Sequence, residues 1–234
     1  MVIKICDYNF LIKNKYSYIE NQCVDYLTDG APHFTIECTD AEIFAEKDYA
    51  EDGATFSMGV AESLAMYRKI CALLSSKNIF LMHSAVIEMD GKGIAFLAPS
   101  GVGKSTHINN WLVEFKDDVR VINGDKPLIL NDNGRFFAFG TPWAGKENLY
   151  TNAKTPLYAI CFLSREEENS CKEIDATLTV DKLFMQVYLP DGEEETACVM
   201  ANMDEMLKAV KVFELKCNKE SQSAVVCKRA ILGE

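Results

Sequence analysis

The clearest chemical pattern in the chain lies in the segment FLAPSGVGKSTHINNW, residues 96–111. It matches the phosphate-binding pattern G-x-x-x-x-G-K-[ST], except that Ala98 replaces the first glycine. In such a loop, free backbone N–H groups and the N-terminus of the following helix bind an anion. We therefore expect a nucleoside triphosphate to bind at this loop. The alternative is that SGVGKS is an ordinary turn that contains a lysine.

Each position of the loop has an expected role. Gly101 and Gly103 would let the backbone approach the phosphates, while Lys104 would bridge the outer ones. Ser105 would place its hydroxyl on Mg²⁺. Ala98 ends the preceding strand, where a methyl group is tolerated if φ stays negative. The predicted nucleotide-binding residues are Ser100, Gly101, Val102, Gly103, Lys104, Ser105 and Thr106.

A nucleotide-binding loop also needs an acidic residue that holds the metal or orients a nucleophile. Asp125 is the candidate, because it follows the short apolar strand VRVI (119–122) at what should be the same edge of the sheet. We expect Asp125 and Ser105 to be the metal-binding residues. Asp125 could instead be a turn aspartate, and the adjacent Lys126 a solvated surface charge.

Two histidines are candidates for different roles. His83 lies in IFLMHSAVIEM (79–89), an apolar segment typical of a strand buried on both faces. It is interpreted either as a core histidine or as a catalytic residue near the phosphates. His107 and Trp111 are one helical turn apart, and we expect them to pack against neighbouring elements.

The segment FGTPWAGKENL (139–149) predicts a shaped loop, because its glycines and proline follow a strand. Trp143 and Lys146 lie on this loop. We expect Lys146 to neutralise charge on a transferred phosphoryl group. The acidic runs REEE (165–168) and GEEE (192–195) predict solvated loops.

Hydrophobic periodicity predicts the elements that position these residues. Helices are expected at 58–75, 104–115, 179–188, 196–209 and 221–232. Strands are expected at 79–89, 94–98, 119–122, 127–130, 135–139, 156–163 and 212–216. Strands alternate with helices, but hairpins interrupt the alternation. The predicted fold is therefore an α/β domain with a mixed sheet.

The chain is expected to divide near residue 57. Short β-like pieces at 4–6, 10–12 and 33–38 predict a small β-rich N-terminal subdomain, residues 1–57, with EDGA (51–54) as its seam. Residues 58–234 are the predicted nucleotide-binding domain. The N-terminal part is interpreted either as a substrate-facing cap or as a structural brace.

Composition limits the class of protein. With 48% hydrophobic and 25% charged residues, the chain resembles an ordinary soluble protein with a substantial core. Its net charge of -11 disfavours nucleic acid and anionic membrane as partners. Its apolar runs are shorter than the roughly 20 residues of a membrane helix. Its nine cysteines show no CxxC pair and no zinc-ligand spacing, and the segment MVIKICDYNF lacks the charged and apolar regions of a signal peptide. We therefore expect buried, reduced thiols in the cytoplasm.

Together these segments resemble a known family. LMHSAVIEMDGKGIAFLAPSGVGKST (81–106) is similar to the strand, turn, strand and P-loop of the HPr kinase/phosphorylase catalytic domain. The resemblance to HPr kinase-like proteins continues through NGDKPLI, GTPWAGKENL and TPLYAICFL, and it covers roughly residues 58–217. It implies a mixed-sheet P-loop fold related to phosphoenolpyruvate carboxykinase, in which ATP with Mg²⁺ phosphorylates a serine hydroxyl.

The resemblance also implies roles for single residues. Lys104 and Ser105 match the family's phosphate and metal residues, His83 matches its active-site histidine, and Asp125 matches one of its acidic residues. This chain departs from HPr kinase proper at Thr106, where the family has glutamate, and at Gly124, where it has a second aspartate. The family's signature loop is absent. These departures argue against HPr itself as substrate and against the reverse phosphorylase reaction.

The sequence thus predicts a kinase that uses ATP and Mg²⁺, with Asp125, His83 and Lys146 as catalytic residues. The acceptor would be a hydroxyl of a peptide, a protein or a small molecule, and the resemblance leaves a homo-oligomer open. The rival interpretation is a nucleotide-gated module that binds a peptide partner with little or no catalysis.

Overall fold

The computed structural model describes residues 1–48 and 56–233, so the predicted seam at 51–54 lies outside the described residues. The N-terminal part forms a three-stranded sheet of β1 (Val2–Ile5), β2 (Tyr8–Lys13) and β3 (Phe34–Glu37). β2 pairs antiparallel with β1 and parallel with β3. The three predicted strands are confirmed. Two short helices, α1 (Tyr18–Gln22) and α2 (Asp40–Asp48), were not predicted.

The predicted first long helix is confirmed as α3 (Met58–Ser75). Its N-terminus is capped by Ser57, whose hydroxyl accepts from the N–H of Val60 at 3.3 Å. The buried face of α3 packs against the N-terminal sheet in one shared apolar core. Within that contact, the buried Glu62 carboxylate accepts from the N–H groups of Lys15 (2.7 Å) and Tyr16 (3.0 Å). The N-terminal sheet is therefore attached to the main body by apolar burial and by satisfied polar groups.

The main body is a nine-stranded mixed sheet, which confirms the predicted mixed α/β class. Its strands are β4 (Ile79–Leu81), β5 (Ala85–Met89), β6 (Lys92–Leu97), β7 (Val119–Asn123), β8 (Leu128–Asp132), β9 (Arg135–Phe139), β10 (Lys154–Arg165), β11 (Ser170–Glu173) and β12 (Lys211–Cys217). Seven strands follow the order β4-β8-β9-β10-β6-β5-β7. The other two branch off at β10: the second half of β10 pairs with β12, and β12 pairs with β11. Asn123 at the end of β7 forms an isolated β-bridge with Tyr150, which lies beyond β9, and this contact shows that the sheet curls.

Helices cover both faces of this sheet. One core contains α4 (Lys104–Phe115) and α7 (Gln222–Leu232), and the other contains α5 (Val180–Phe184) and α6 (Glu193–Ala209). Ile94 and Phe96 of β6 face the first core, whereas Ala95 and Leu97 face the second. This alternation explains why the strand is apolar at every position from Ile94 to Leu97. No helix among the described residues is both long and apolar enough to cross a bilayer.

Several predicted elements are corrected. Residues 79–89 form two strands instead of one, because the chain breaks at 82–84 between β4 and β5. The helix predicted at 179–188 is confined to α5, after which Val187 bridges Met82. The acidic run at 193–195 is the first turn of α6 and not a loop, since carboxylates are favoured near the positive end of a helix dipole.

Candidate functional site

The predicted phosphate loop connects β6 to α4, in the strand–loop–helix order that the motif requires. Gly101 has φ +77° and Gly103 has φ +123°. A Cβ atom at either position would meet nothing within 4 Å, so backbone conformation, not crowding, requires glycine there. Ala98 keeps a negative φ and is buried, which is why the motif's first glycine can be replaced.

The N-terminus of α4 presents free donors. The N–H groups of residues 103–106 have no hydrogen-bond partner within the described part of the chain. Gly103 caps the helix without a side-chain hydrogen bond, and the positive end of the helix dipole lies at the same place. Ser105 is half-buried and Thr106 is exposed in this first turn. The arrangement is suited to an anion.

Lys104 is the buried cation of this loop. Its side chain is folded back so that Nζ donates to the carbonyl of Ala98 at 2.7 Å, just after the end of β6. Burial lowers the pKa of Lys104, while the Asp125 carboxylate opposes that effect and Lys126 adds to it. The charges of Asp125 and Lys126 therefore both affect the pKa of Lys104.

His83 and Asp125 form a hydrogen-bonded pair. His83 Nε2 lies 2.9 Å from Asp125 Oδ1, and Lys126 Nζ donates to Asp125 Oδ2 at 2.5 Å. Burial raises the pKa of Asp125, but the hydrogen bond from His83 and the charge of Lys126 outweigh burial, so the pKa falls well below its usual range. Lys126 is thus an ion-pair partner and not a free surface charge. His83 is not a strand residue buried on both sides; its side chain is 36% exposed in the break between β4 and β5.

The turn that carries Asp125 is held rigidly. Asn123 Oδ1 accepts from the N–H groups of Asp125 (2.8 Å) and Lys126 (2.7 Å). Asn123 Nδ2 in turn donates to the carbonyl and hydroxyl of Thr141, both at 3.0 Å. Tyr67 of α3 donates its hydroxyl to the Lys126 carbonyl at 2.7 Å. These contacts fix the carboxylate relative to the sheet.

Gln186 joins the histidine to the phosphate loop. Its carbonyl accepts from the N–H of His83 at 2.6 Å. Its side-chain amide faces two carbonyls, so the amide orientation that satisfies its hydrogen bonds is the one in which Nε2 donates to the carbonyls of Ala98 (3.2 Å) and His83 (3.3 Å). The Ala98 carbonyl thereby accepts hydrogen bonds from both Lys104 and Gln186. Gln186 was not among the predicted site residues, and no local pattern identifies it, because it follows a short helix far along the chain.

Arg165 is a second residue that the sequence analysis missed. Its guanidinium donates to the carbonyl of Val102 at 2.7 Å through Nε and to that of Gly101 at 2.5 Å through an Nη atom. Arg165 ends β10, which pairs parallel with β6, so its position beside the loop follows from the sheet. Arg165 was predicted to belong to a solvated acidic loop. The two bonds stabilise the conformation of the loop.

The loop at 140–149 approaches Asp125 but does not bring Lys146 to it. Trp143 is buried instead of hanging free: it stacks on Tyr67 with centroids 4.0 Å apart, and its Nε1 donates to Ser63 at 2.9 Å. Gly145 packs against Asp125, since a Cβ at residue 145 would lie 3.0 Å from that of Asp125. Lys146 is exposed, with no ion pair to any residue in 1–48 or 56–233.

The residues at this site offer few ligands for Mg²⁺, which normally takes one or two protein oxygens and completes its shell with phosphate and water. Ser105 provides a hydroxyl at the helix N-terminus. Both carboxylate oxygens of Asp125 are engaged, by His83 and by Lys126. Ser105 fits the role of a metal ligand, whereas the Asp125 carboxylate already accepts from two donors and so has less charge to offer a metal.

A cleft of about 440 Å³ lies beside the phosphate loop. It is lined by Val102, Gly103, Thr106, His107, Arg165, Glu166, Glu167, Cys217, Asn218 and Lys219. Ligand pockets typically have about 300–1,000 Å³, so a nucleoside-sized group would fit next to the helix N-terminus.

Comparison with known proteins adds little to this geometry. The fold is similar to that of the HPr(Ser) kinase/phosphatase from Coxiella burnetii, with a TM-score of 0.36 and 7% sequence identity. The similarity covers 62% of this chain and 90% of that one. No family model matches the chain, and no curated protein matches it. The family resemblance of the sequence therefore stays a prediction.

The helix after the loop, α4, is anchored by the buried side chain of His107, which was predicted to pack against neighbouring elements. Trp111 Nε1 donates to His107 Nε2 at 2.9 Å, which leaves His107 Nδ1 to donate to Ser223 Oγ at 3.3 Å. Asn110 Nδ2 donates to the same hydroxyl at 3.1 Å. α4 is thereby fixed to α7, and burial lowers the pKa of His107 to about 3.

This pKa predicts acid sensitivity. Unfolded His107 binds a proton near its ordinary value of 6.5, whereas the folded side chain does so only near 3. Between these values the unfolded state binds more protons, so stability decreases by about 1.4 kcal/mol for each unit by which the pH is lowered. Urea unfolding at about pH 7 and about pH 5 should show this loss in wild type and a smaller loss in His107→Gln.

The control is His33→Gln, which replaces an exposed histidine. This variant should keep the wild-type loss of stability between the two pH values. Equal losses in wild type and His107→Gln would contradict the prediction.

Proposed function

We propose that the chain binds a nucleoside triphosphate with Mg²⁺ at residues 100–106 and transfers its γ-phosphoryl group to a hydroxyl. One observation carries this proposal: a helix N-terminus with free N–H groups and a buried lysine lies next to a histidine–carboxylate pair. A site that only binds an anion would need no more than the helix N-terminus and the lysine. The histidine–carboxylate pair adds groups that can accept and release a proton.

In this proposal the phosphates bind to the free N–H groups of the loop and of the first turn of α4. Lys104 leaves the Ala98 carbonyl and donates to phosphate oxygens, while Gln186 continues to satisfy that carbonyl. Ser105 is the proposed metal ligand. Bound Mg²⁺ would supply neutralisation of phosphate charge. The nucleoside would occupy the cleft beside Val102 and Thr106.

The proton of the acceptor hydroxyl goes to the His83–Asp125 pair. Because the pKa of Asp125 is low, its carboxylate is a weak base and is better suited to orienting His83. With Nε2 donating to Asp125, Nδ1 carries the lone pair of neutral His83. The acceptor oxygen then bonds to the γ-phosphorus, its proton passes to Nδ1, and the bond to the β–γ bridging oxygen breaks to leave the diphosphate.

The acceptor is proposed to be a serine or similar hydroxyl of a peptide or protein, or a small-molecule alcohol. A net charge of -11 disfavours strongly anionic acceptors. Lys146 keeps its proposed role as a cation for the transferred group, which would require the exposed side chain to turn inward. The proposed setting is the cytoplasm, and assembly as a homo-oligomer stays open.

One observation favours the rival function of a nucleotide-gated binding module. Lys126 neutralises the Asp125 carboxylate through its 2.5 Å contact, which would weaken any part of Asp125 in metal binding or proton transfer. In that case ATP would order the loops around a peptide without being consumed.

An ADP-release assay separates the two functions. Wild type with ATP and Mg²⁺ is measured alone and with serine peptides or small alcohols, and the products are examined by mass spectrometry. The kinase predicts ADP release that rises with acceptor and matches the phosphorylated product formed. ATP binding without acceptor-dependent ADP release would favour the binding module.

A further inference from the structure

Three cysteines that are remote in sequence meet in the structure. The Sγ atoms of Cys161, Cys171 and Cys227 all lie within 4.8 Å of one another. Among residues 1–48 and 56–233, no other group of three or more His, Cys, Asp or Glu side chains has this geometry. From the sequence we expected buried, reduced thiols without the spacing of zinc ligands. The cysteines indeed have no zinc-ligand spacing along the chain, but the fold brings three of them together.

The fold explains why the three thiols converge. β12 lies between β10 and β11, with Cys161 opposite Phe213 and Cys171 opposite Leu215. Phe213 and Leu215 point to the same face of the sheet, so both cysteines do too. α7 covers this face and contributes Cys227. The thiols thus come from three different elements that the sheet and its covering helix hold in place.

We propose that Cys161, Cys171 and Cys227 bind one Zn²⁺ ion as thiolates, with the fourth position completed from solvent. Zinc takes thiolate ligands at about 2.3 Å in tetrahedral geometry, which puts the sulfur atoms about 3.8 Å apart. Sulfur atoms within 4.8 Å of one another reach that spacing through shifts of about 1 Å or less. This site is separate from the proposed Mg²⁺ site, whose ligands are oxygens.

Burial fits a site with one open side. Cys161 and Cys227 are fully buried, whereas Cys171 is only partly buried on the edge strand β11. Zinc and water could therefore reach the site at Cys171. The apolar side chains around the other two thiols would exclude competing ligands.

Zinc binding needs no oxidant. Three S–H bonds lose their protons to the buffer, three Zn–S bonds form, and the site changes from neutral to a net charge of -1. A disulfide between two of the cysteines would instead require a peroxide or an oxidised dithiol and would leave the third thiol over.

The test uses the full chain, reduced and stripped of metal. Zn²⁺ is titrated against a chromophoric chelator, native mass spectrometry counts the bound ions, and Co²⁺ serves as a spectroscopic probe of thiolate ligation. We expect one ion per chain in wild type and a loss of affinity of about 100-fold or more in Cys171→Ser, since even second-shell changes cost 10–100-fold. Cys198→Ser, a partly buried cysteine of α6 outside the group, should bind like wild type.

Cys171→Ser is the main variant because its position on an edge strand tolerates polarity, and circular dichroism checks that it folds. Less than one equivalent of zinc in wild type would overturn the proposal. So would undiminished binding by Cys171→Ser, or a wild-type mass two hydrogens lower, which indicates a disulfide. Thermal shift with ATP, measured on the same samples, reports on the nucleotide proposal independently.

Discussion

Replacing Lys104 with alanine is expected to remove about half or more of the thermal stabilisation that ATP and Mg²⁺ give to the wild type. A charge-assisted hydrogen bond to phosphate contributes about 1.5–3 kcal/mol, so the affinity should fall by about 10- to 150-fold. At a ligand concentration of about 100 times the wild-type Kd, stabilisation near 2.7 kcal/mol would then shrink to below about 1.5 kcal/mol. Differential scanning fluorimetry with and without ATP measures this change.

The fold itself should survive the substitution. Within residues 1–48 and 56–233, the Lys104 ammonium donates only to the Ala98 carbonyl, and that carbonyl keeps Gln186 as a donor. The matched control is Lys77→Ala, which removes an exposed lysine after α3 and should leave the ATP-dependent shift unchanged. A full shift retained by Lys104→Ala would mean that the phosphates bind elsewhere.

Replacing Asp125 with asparagine is expected to lower acceptor-dependent turnover by about 10²-fold or more while ATP binding persists. Asparagine keeps the size of the side chain but removes the charge that orients His83 and would stabilise it once protonated. Lys126 also loses its partner. Steady-state ADP release and ATP titration, measured on the same preparation, separate turnover from binding.

The matched control for this prediction is Asp118→Asn, an exposed aspartate after α4 that should leave turnover unchanged. His83→Gln should resemble Asp125→Asn if the two residues act as a pair, and the double variant should be little worse than either. Equal turnover in wild type and Asp125→Asn with every acceptor would contradict a role of this residue in catalysis.

The lowered pKa of Asp125 also affects stability. Because the folded pKa lies below the ordinary value of 3.8, ionised Asp125 stabilises the fold fully above that value. This contribution is lost as the pH falls from the ordinary value through the folded one. Asp125→Asn should therefore be less stable than wild type near neutral pH, and the gap should narrow in strong acid.

Local patterns in the sequence predicted much of the main body. Apolar spacing located α3 and α4, and continuous apolar runs located β6 and β10, because each of these elements buries a defined face. The phosphate-loop conformation could also be predicted, since only glycine readily takes the positive φ found at residues 101 and 103. Asp125 could be selected as a candidate because it lies two residues after a strand, β7.

Long-range contacts explain what the sequence could not reveal. His83 lies in a break between strands that depends on backbone pairing with Gln186 and Asp125, and nothing in its own segment indicates this. Arg165 reaches the phosphate loop only because β10 lies next to β6. The three cysteines meet only after β12 pairs on both sides. Each of these contacts is a property of the sheet order, which local periodicity does not encode.

Isothermal titration of wild type with ATP and Mg²⁺ tests the central claim, that the loop at 98–106 binds a triphosphate. We predict a saturable heat with one nucleotide per chain, and a weaker or undetectable heat for Lys104→Ala. If neither ATP nor GTP produces any saturable heat at millimolar concentration, the loop is not a nucleotide site and the claim is wrong.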